Sequence, residues 1–410
     1  MAVVLLGTLD TKGVETMWVR DQMIALGTEC IVVDTGVLGA AAAPADYSRE
    51  AVAAAGGTPL LELERAHDRG SALRAMAEGA LAIVTDLVGR GQVDGLLCLG
   101  GSGGSSIAAF VMAQLPVGVP KLLVSTMVSG DVSPYVGQSD VTLMYSVVDI
   151  AGINVISRQI LGNAAAAMSA MATAYRARTS GRPAAHEDRP LVAATMFGVT
   201  TPAVEHAREY LEAVGYEVLV FHATGAGGRS MEALVRSGYF VGVLDLTTTE
   251  LADEVVGGVL SAGPDRLNAA AQHGVPQVVS LGAIDMVNFG PRDTVPSQFE
   301  SRTLFIHNDT VTLMRTSAAE AARIGAVIGE KLARAKGPAA LYIPAGGTSA
   351  IDVTGGPFWD PDADAAAREA VRHAVIDSAV EVFDSPSNIN DSEFARAMAK
   401  RLHELIQGEN

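Results

Sequence analysis

Apolar runs of five or six residues alternate with longer stretches whose apolar positions recur every three or four residues. Strands therefore alternate with helices along most of the chain. AVVLLG opens it as a first strand, and the next stretch sets Val14, Met17, Trp18 and Ile24 on one helical face. CIVVDTG is a second strand, a polar insertion occupies about residues 37–68, and a long helix follows to about Arg90. DGLLCLG runs at once into GSGGSS and a helix through Gln114, and KLLVST and VTLMYSV supply further strands. Strands joined by helical crossovers read as a parallel α/β sheet.

From Ala164 to Ala177 the chain is Ala- and Met-rich and helical, and it leads into TSGRPAAHEDRP. The prolines, glycine and charges of that segment make a linker. The expected boundary is at about residue 185, with one Rossmann-like domain over 1–185 and a second over 186–410. The pattern then restarts. GTECIVVDTG (27–36) is answered by GYEVLVFHATG (215–225), after a helix carrying Val204, Ala207, Leu211 and Val214. VDGLLCL (93–99) is answered by FVGVLDL (240–246), and VPKLLVS (119–125) by VPQVVSL (275–281). Three echoes in one order predict two similar Rossmann-like parallel-sheet domains with a cleft between them. A helix with Ala321, Ile324, Ile328 and Leu332, the strand ALYIP, and closing helices at about 363–382 and 391–407 complete the second.

Composition narrows the function classes. The 410 residues are 49% hydrophobic and only 5% aromatic, which suits buried parallel strands against Ala-rich helices. A formal net charge of −17 argues against nucleic-acid or anionic-membrane partners, whose phosphates demand excess Lys and Arg. A small phosphorylated ligand remains compatible, because a local cluster of backbone N–H groups can hold it. Cys30 and Cys98 each sit inside an apolar run and read as buried small hydrophobes. The start lacks a basic leader and no stretch offers about 18 uninterrupted apolar residues, so the expected compartment is the cytoplasm.

The strongest chemical signal is GLLCLGGSGGSS. A buried strand ends at Leu99, and Gly100, Gly101, Gly103 and Gly104 with Ser102 allow a turn with positive φ. Ser105 or Ser106 is expected to cap the following helix, whose dipole and free N–H groups would hold a phosphate. No Lys-Ser/Thr follows the glycines, so this is not a Walker A loop. The first strand end, GTLDTKG, offers Thr8, Asp10 and Thr11, with Lys12 to meet a phosphate and Asp10 to hold Mg²⁺ through water. Its plain structural alternative is a helix cap from Thr11 or Asp10. Asp34 ends strand two, where a carboxylate can meet a ribose hydroxyl. In the second half, Thr200, Thr201, Thr224 and Gly225 repeat the small-polar theme, and Arg315 can clamp an anion or pair on a helix surface. His222, Asp245, Asp285 and His307 fall near strand ends. DPDADAA opens a helix, where Asp is favoured by capping and the dipole.

GTLDTKG, GGSGGSS, PKLLVSTMVSGD, GVTTPAV, LGAIDMVNFG, HNDTVTLMRTS and IPAGGTSAID…GGPFWDPDAD occur in order over essentially the whole chain. Together they resemble a family of largely uncharacterised bacterial and fungal proteins. That family is similar to the amino-terminal ATP-binding region of the tomato mosaic virus resistance protein, a plant inhibitor of tobamovirus RNA replication. The resemblance implies two Rossmann-like subdomains, a homodimer and ATP binding. It extends no expectation for the barrel-like domain that follows this region in the plant protein. The expectation is an ATP-binding protein, with the residues of its site resting on the strand-end argument. Two alternatives stand beside it: an enzyme acting on a small phosphorylated or carboxylated metabolite with ATP as cosubstrate or effector, and a non-catalytic protein-interaction module ordered by ATP. Metabolite-dependent ADP production separates them.

Overall fold

The computed structural model describes residues 2–180 and 189–408, and the chain divides into two compact units, residues 1–186 and 187–410. The boundary expected at about 185, with most of its linker, lies outside the described residues.

The first unit is built on five parallel strands: β1 (Ala2–Gly7), β2 (Glu29–Asp34), β3 (Leu96–Gly100), β4 (Lys121–Ser125) and β5 (Thr142–Tyr145). Their order across the sheet is β2-β1-β3-β4-β5. β1 pairs on one side with β2, Gly7 opposite Asp34, and on the other with β3, Leu6 opposite Cys98. Every residue of β1, β3 and β4 is buried, as central strands covered on both faces require. On one face Val4, Leu96 and Cys98 pack with Met76, Val84, Ile107 and Val111 from the helices Arg69–Gly89 and Ser102–Met112. On the other, Leu5, Leu97 and Leu122 pack with Val19, Met23, Leu161 and Met168 from the helices Leu9–Ala25 and Val155–Ser180. Each such side chain contributes about 1.5–3 kcal/mol by leaving water.

The first helix presents only part of the expected face. Leu9, Gly13, Thr16, Val19 and Met23 are buried and the expected Met17 and Trp18 pack partly buried against the same core, whereas Val14 and Ile24 are exposed. Small residues decide the rotation: a Cβ on Gly13 would stand 2.9 Å from the Cβ of Ala42. The polar insertion also carries two short helices, Arg49–Ala55 and Leu60–Ala66.

The second unit adds β6 (Leu191–Met196), β7 (Glu217–His222), β8 (Phe240–Thr247) and β9 (Gln277–Gly282). After them come β10 (Met286–Phe289), β11 (Leu304–Asn308), β12 (Val311–Arg315), β13 (Ala339–Pro344) and β14 (Glu381–Ser385). Six of these form a parallel sheet that reads β7-β6-β8-β9-β13-β14 from its β7 edge. β2, β1, β3 and β4 thus have the same places as β7, β6, β8 and β9, and all three sequence echoes fall on corresponding strands. The units share one Rossmann-like strand order.

Two features depart from the sequence expectation. β10, β12 and β11 form a separate antiparallel sheet, so Arg315 lies on a buried strand and not on a helix surface. The closing helix ends at Val375, and β14 follows as a half-exposed edge strand. Its mixed residues, EVFDS, carry no apolar run from which a strand could be read.

Candidate functional site

In a sheet of order 2-1-3-4-5 the chain leaves β1 to one side for β2 and returns on the other for β3. The crevice outside the carboxyl ends of those two neighbours is where such folds bind ligands. Here it holds a cavity of about 720 Å³. Its lining joins the β1 end (Thr8, Asp10, Thr11, Lys12) to the glycine loop (Gly101–Gly104). The loop after β2 and the start of the helix Arg69–Gly89 complete it, so two segments 90 residues apart in sequence meet at one place.

The glycine loop works differently from the expected turn. None of Gly100, Gly101, Gly103 and Gly104 has a positive φ. Gly101 is extended and caps the helix, which starts at Ser102 without any serine side chain on its first N–H groups. Ser105 Oγ is buried against Ser125 Oγ at 2.6 Å, and Ser106 Oγ donates to the Ser102 carbonyl, so neither serine serves as the expected cap. The N–H groups of Ser102, Gly103 and Gly104 have no partner among the described residues, the usual condition of a helix N-terminus. The glycines divide by task. A Cβ on Gly100 would stand 2.7 Å from the Ser105 nitrogen, which makes that glycine a packing requirement between β3 and the helix. At Gly103 the added atom would meet only side-chain ends, Arg69 Nη2 at 3.3 Å and Leu73 Cδ2 at 3.4 Å.

The β1 end is more committed than its sequence suggests. Thr8 caps the helix Leu9–Ala25 in place of Thr11 or Asp10, and its hydroxyl lies 2.7 Å from that of Thr11. Asp10, with a side chain only 3% exposed, accepts from Leu38 N at 2.6 Å and lies 3.9 Å from Arg49. The carboxylate expected to hold Mg²⁺ is thus anchoring the loop after β2. Asp34 accepts from Leu9 N, Gly36 N and Arg49 Nε, so the residue expected at a ribose is sealed into the same anchor. Lys12 lines the cavity, but its ammonium donates to the Ile150 carbonyl and lies 3.9 Å from Asp149. Expected to meet a phosphate, it is turned to the loop before the helix Val155–Ser180. Asp68 caps the helix Arg69–Gly89, and the Ser71 hydroxyl with the N–H groups of Ser71 and Gly70 holds its carboxyl below the usual range.

The second-unit candidates are engaged inside the fold. Thr200 Oγ1 bonds Thr247 Oγ1 at 2.7 Å, and Thr201 donates to main-chain carbonyls of its own turn. Gly225 does lie at the glycine-rich start of a helix, Ala226–Arg236, with φ +82°. Its N–H, however, donates to Glu250 Oε1 at 2.6 Å, as does that of Gly228 at 3.0 Å, while Thr224 Oγ1 turns back to the His222 carbonyl. Arg266, fully buried, binds Glu250 at 2.6 Å and grips Asp245 with both terminal nitrogens. Arg315 donates to Asp364 at 2.5 Å and to the Phe358 carbonyl at 2.7 Å. His222, Asp245, Asp285 and His307 hold different partners or face solvent, and no cluster of three metal-ligating groups occurs among the described residues. Burial pushes the Cys30 thiol up to about 11 and the Cys98 thiol higher, which disfavours the thiolate at both.

The described chain matches the two domain models of the uncharacterised protein family UPF0261, the N-terminal one over residues 1–177 and the C-terminal one over 189–406. The chain belongs to the UPF0261 family. A UPF0261 protein of Clostridium tetani is 52% identical over 99% of both chains, and one of Rhizobium meliloti 46% over 98% of both. The ToMV resistance protein Tm-1(GCR237) of Solanum lycopersicum is 42% identical over 82% of this chain and 45% of its own length. Among solved structures, a glycosyltransferase of Streptomyces sp. SF2575 complexed with thymidine diphosphate aligns over 98% of this chain and 99% of its own. At 14% identity and a TM-score of 0.19, that alignment carries no argument.

In this UPF0261 member the cavity also takes Thr35, Val37, Leu38, Leu63, His67, Arg69 and Leu73, which strand-end reasoning missed. Thr35 directly follows the end of strand two, and the others lie in or beside the polar insertion, where no strand end marked them. One sequence signal was present: Arg69 follows the N-cap Asp68, so a cation stands at the first position of a helix, against the dipole. No helix among the described residues is long and apolar enough to cross a membrane.

Proposed function

We propose that the first unit binds ATP in the cavity at the β1/β3 switch point. One observation carries the reading: free N–H groups at the start of the helix Ser102–Met112 open onto a cavity of about 720 Å³ that has an apolar side. That volume is within the roughly 300–1,000 Å³ usual for small-molecule sites. The N–H groups suit phosphate and need no net positive charge from a chain of −17. Val37, Leu38, Leu63 and Leu73 offer a wall against which a flat, weakly polar base packs. The family resemblance adds ATP as the nucleotide. Titration calorimetry with ATP, ADP and AMP, with and without Mg²⁺, tests the reading. Saturable ATP binding in the micromolar range, about −8 kcal/mol, is expected. No heat with any of the three at about ten times that concentration would sink it.

A further inference from the structure

The two units meet the same electrostatic problem with different parts. In the second, β8 ends at Thr247, Thr248 caps the next helix and Glu250 is its second residue. In the first, β3 ends at Gly100, Gly101 caps, and Gly103 is the second residue. Since β3 and β8 occupy corresponding places, Gly103 stands where the second unit has Glu250. The facing elements correspond too: the helix leading into β8 is Ala226–Arg236, and the helix leading into β3 is Arg69–Gly89.

In the second unit the Glu250 carboxylate crosses to the facing helix start and accepts from Gly225 and Gly228, with Arg266 beside it. An anion, two N–H groups and an arginine form a closed, fully buried set. In the first unit Gly103 brings no carboxylate across: the facing helix start is capped by its own Asp68, and Glu64 lines the same cavity without an ion pair to Arg69 among the described residues. Arg69 Nη2 lies 3.3 Å from the Cβ position of Gly103, and Arg69 makes no hydrogen bond or ion pair among the described residues. Its neighbour Asp68 is spent on Gly70, Ser71 and the Ser71 hydroxyl. A cation thus faces a helix start with free N–H groups, an arrangement that raises the free energy until a negative group enters.

We propose that Arg69 is the anion clamp of this cavity, holding an outer phosphate of the bound nucleotide over Gly103, where the second unit carries its own carboxylate. This inference rests on the nucleotide reading above. It assigns the polyphosphate end to Arg69 and Ser102–Gly104, and it removes Lys12 from that role.

The test measures binding of ATP, inorganic pyrophosphate and adenosine to the full chain and to Arg69→Ala and Gly103→Glu. Arg69 is exposed, so its replacement leaves the fold intact. ATP and pyrophosphate should each weaken at least about 10-fold in Arg69→Ala while adenosine is unchanged. Gly103→Glu should bring a carboxylate across, melt no lower than wild type and lose both phosphate ligands. If Arg69→Ala binds ATP and pyrophosphate as wild type does, the clamp is overturned and the nucleotide site stands. Arg69-dependent pyrophosphate binding without ATP or adenosine binding would support the clamp and overturn the nucleotide. A wild-type chain that binds none of the three overturns both. A folded Gly103→Glu that keeps full ATP affinity overturns the placement over Gly103. Should that variant fail to fold, Arg69→Ala decides.

Discussion

The carboxyl ends of β1 and β3 enclose a cavity, whereas the corresponding ends of β6 and β8 are filled by the chain itself. Thr200, Thr247, Asp245, Glu250 and Arg266 interlock there with full burial, and each charge has its opposite within reach. The difference teaches how a duplicated fold divides labour. A helix N-terminus favours a negative partner, and both units supply one to the corresponding helix: Glu250 to Ala226–Arg236 and Asp68 to Arg69–Gly89. What differs is the space over the second helical position, filled by the Glu250 side chain in one unit and left open by Gly103 in the other.

The most direct way to break this comparison is to empty the filled site. Glu250→Ala would leave Arg266 and the N–H groups of Gly225 and Gly228 buried without their anion. The second unit should lose about 3–5 kcal/mol, the usual cost of breaking one side of a buried ion pair. Denaturant unfolding followed by hydrogen exchange in β6 and β8 measures it. A loss below about 1 kcal/mol would show that the carboxylate is not the group completing this site.

A smaller effect separates packing glycine from cavity glycine in the first unit. Gly100→Ala forces a Cβ to 2.7 Å from backbone and should destabilise by about 1–3 kcal/mol through overpacking. At Gly104 the nearest atom would be 3.4 Å away, an ordinary contact, so Gly104→Ala should change stability by less than about 0.5 kcal/mol. Equal melting temperatures for the two variants would contradict the assignment.

The smallest effect concerns pH, and it belongs to the second unit. Burial, and the neighbouring Asp352 carboxylate, push Asp285 up to about 7; burial likewise raises Asp253 to about 7. Asp352 Oδ1 finds no hydrogen-bond partner among the described residues and lies 3.9 Å from Arg315. A carboxyl whose folded pKa lies above its unfolded value, about 3.9, holds its proton better when folded. Its contribution to stability is therefore full below about pH 4 and is lost as pH rises to about 7. Asp285→Asn keeps the size of the side chain and one acceptor for the Thr348 or Ser349 hydroxyl but cannot ionise, so the fall in second-unit stability over that range should become shallower. An unchanged slope, read from hydrogen exchange in β9 and β13 at several pH values, would rule Asp285 out as its source.

The sequence by itself determined the alternation of strands and helices, the duplication, and the segments GTLDTKG and GGSGGSS as strand ends, which meet at one cavity. These are local: an apolar run fixes a strand, and glycine after it fixes a sharp exit toward a helix. Tertiary structure alone decided which strand ends stay open. Lys12 and Asp10 looked like ligand groups, yet a carbonyl and a main-chain N–H from distant loops take them up. Arg69, Leu63 and Leu73 look unremarkable in sequence, because what qualifies them is that the fold brings them to the same cavity as the glycine loop, Arg69 and Leu73 beside Gly103. Arg266 is held by Glu250 and Asp245, whereas Arg69 has no ion pair among the described residues. Long-range pairing of charge depends on which elements meet, and no spacing along the chain encodes that meeting.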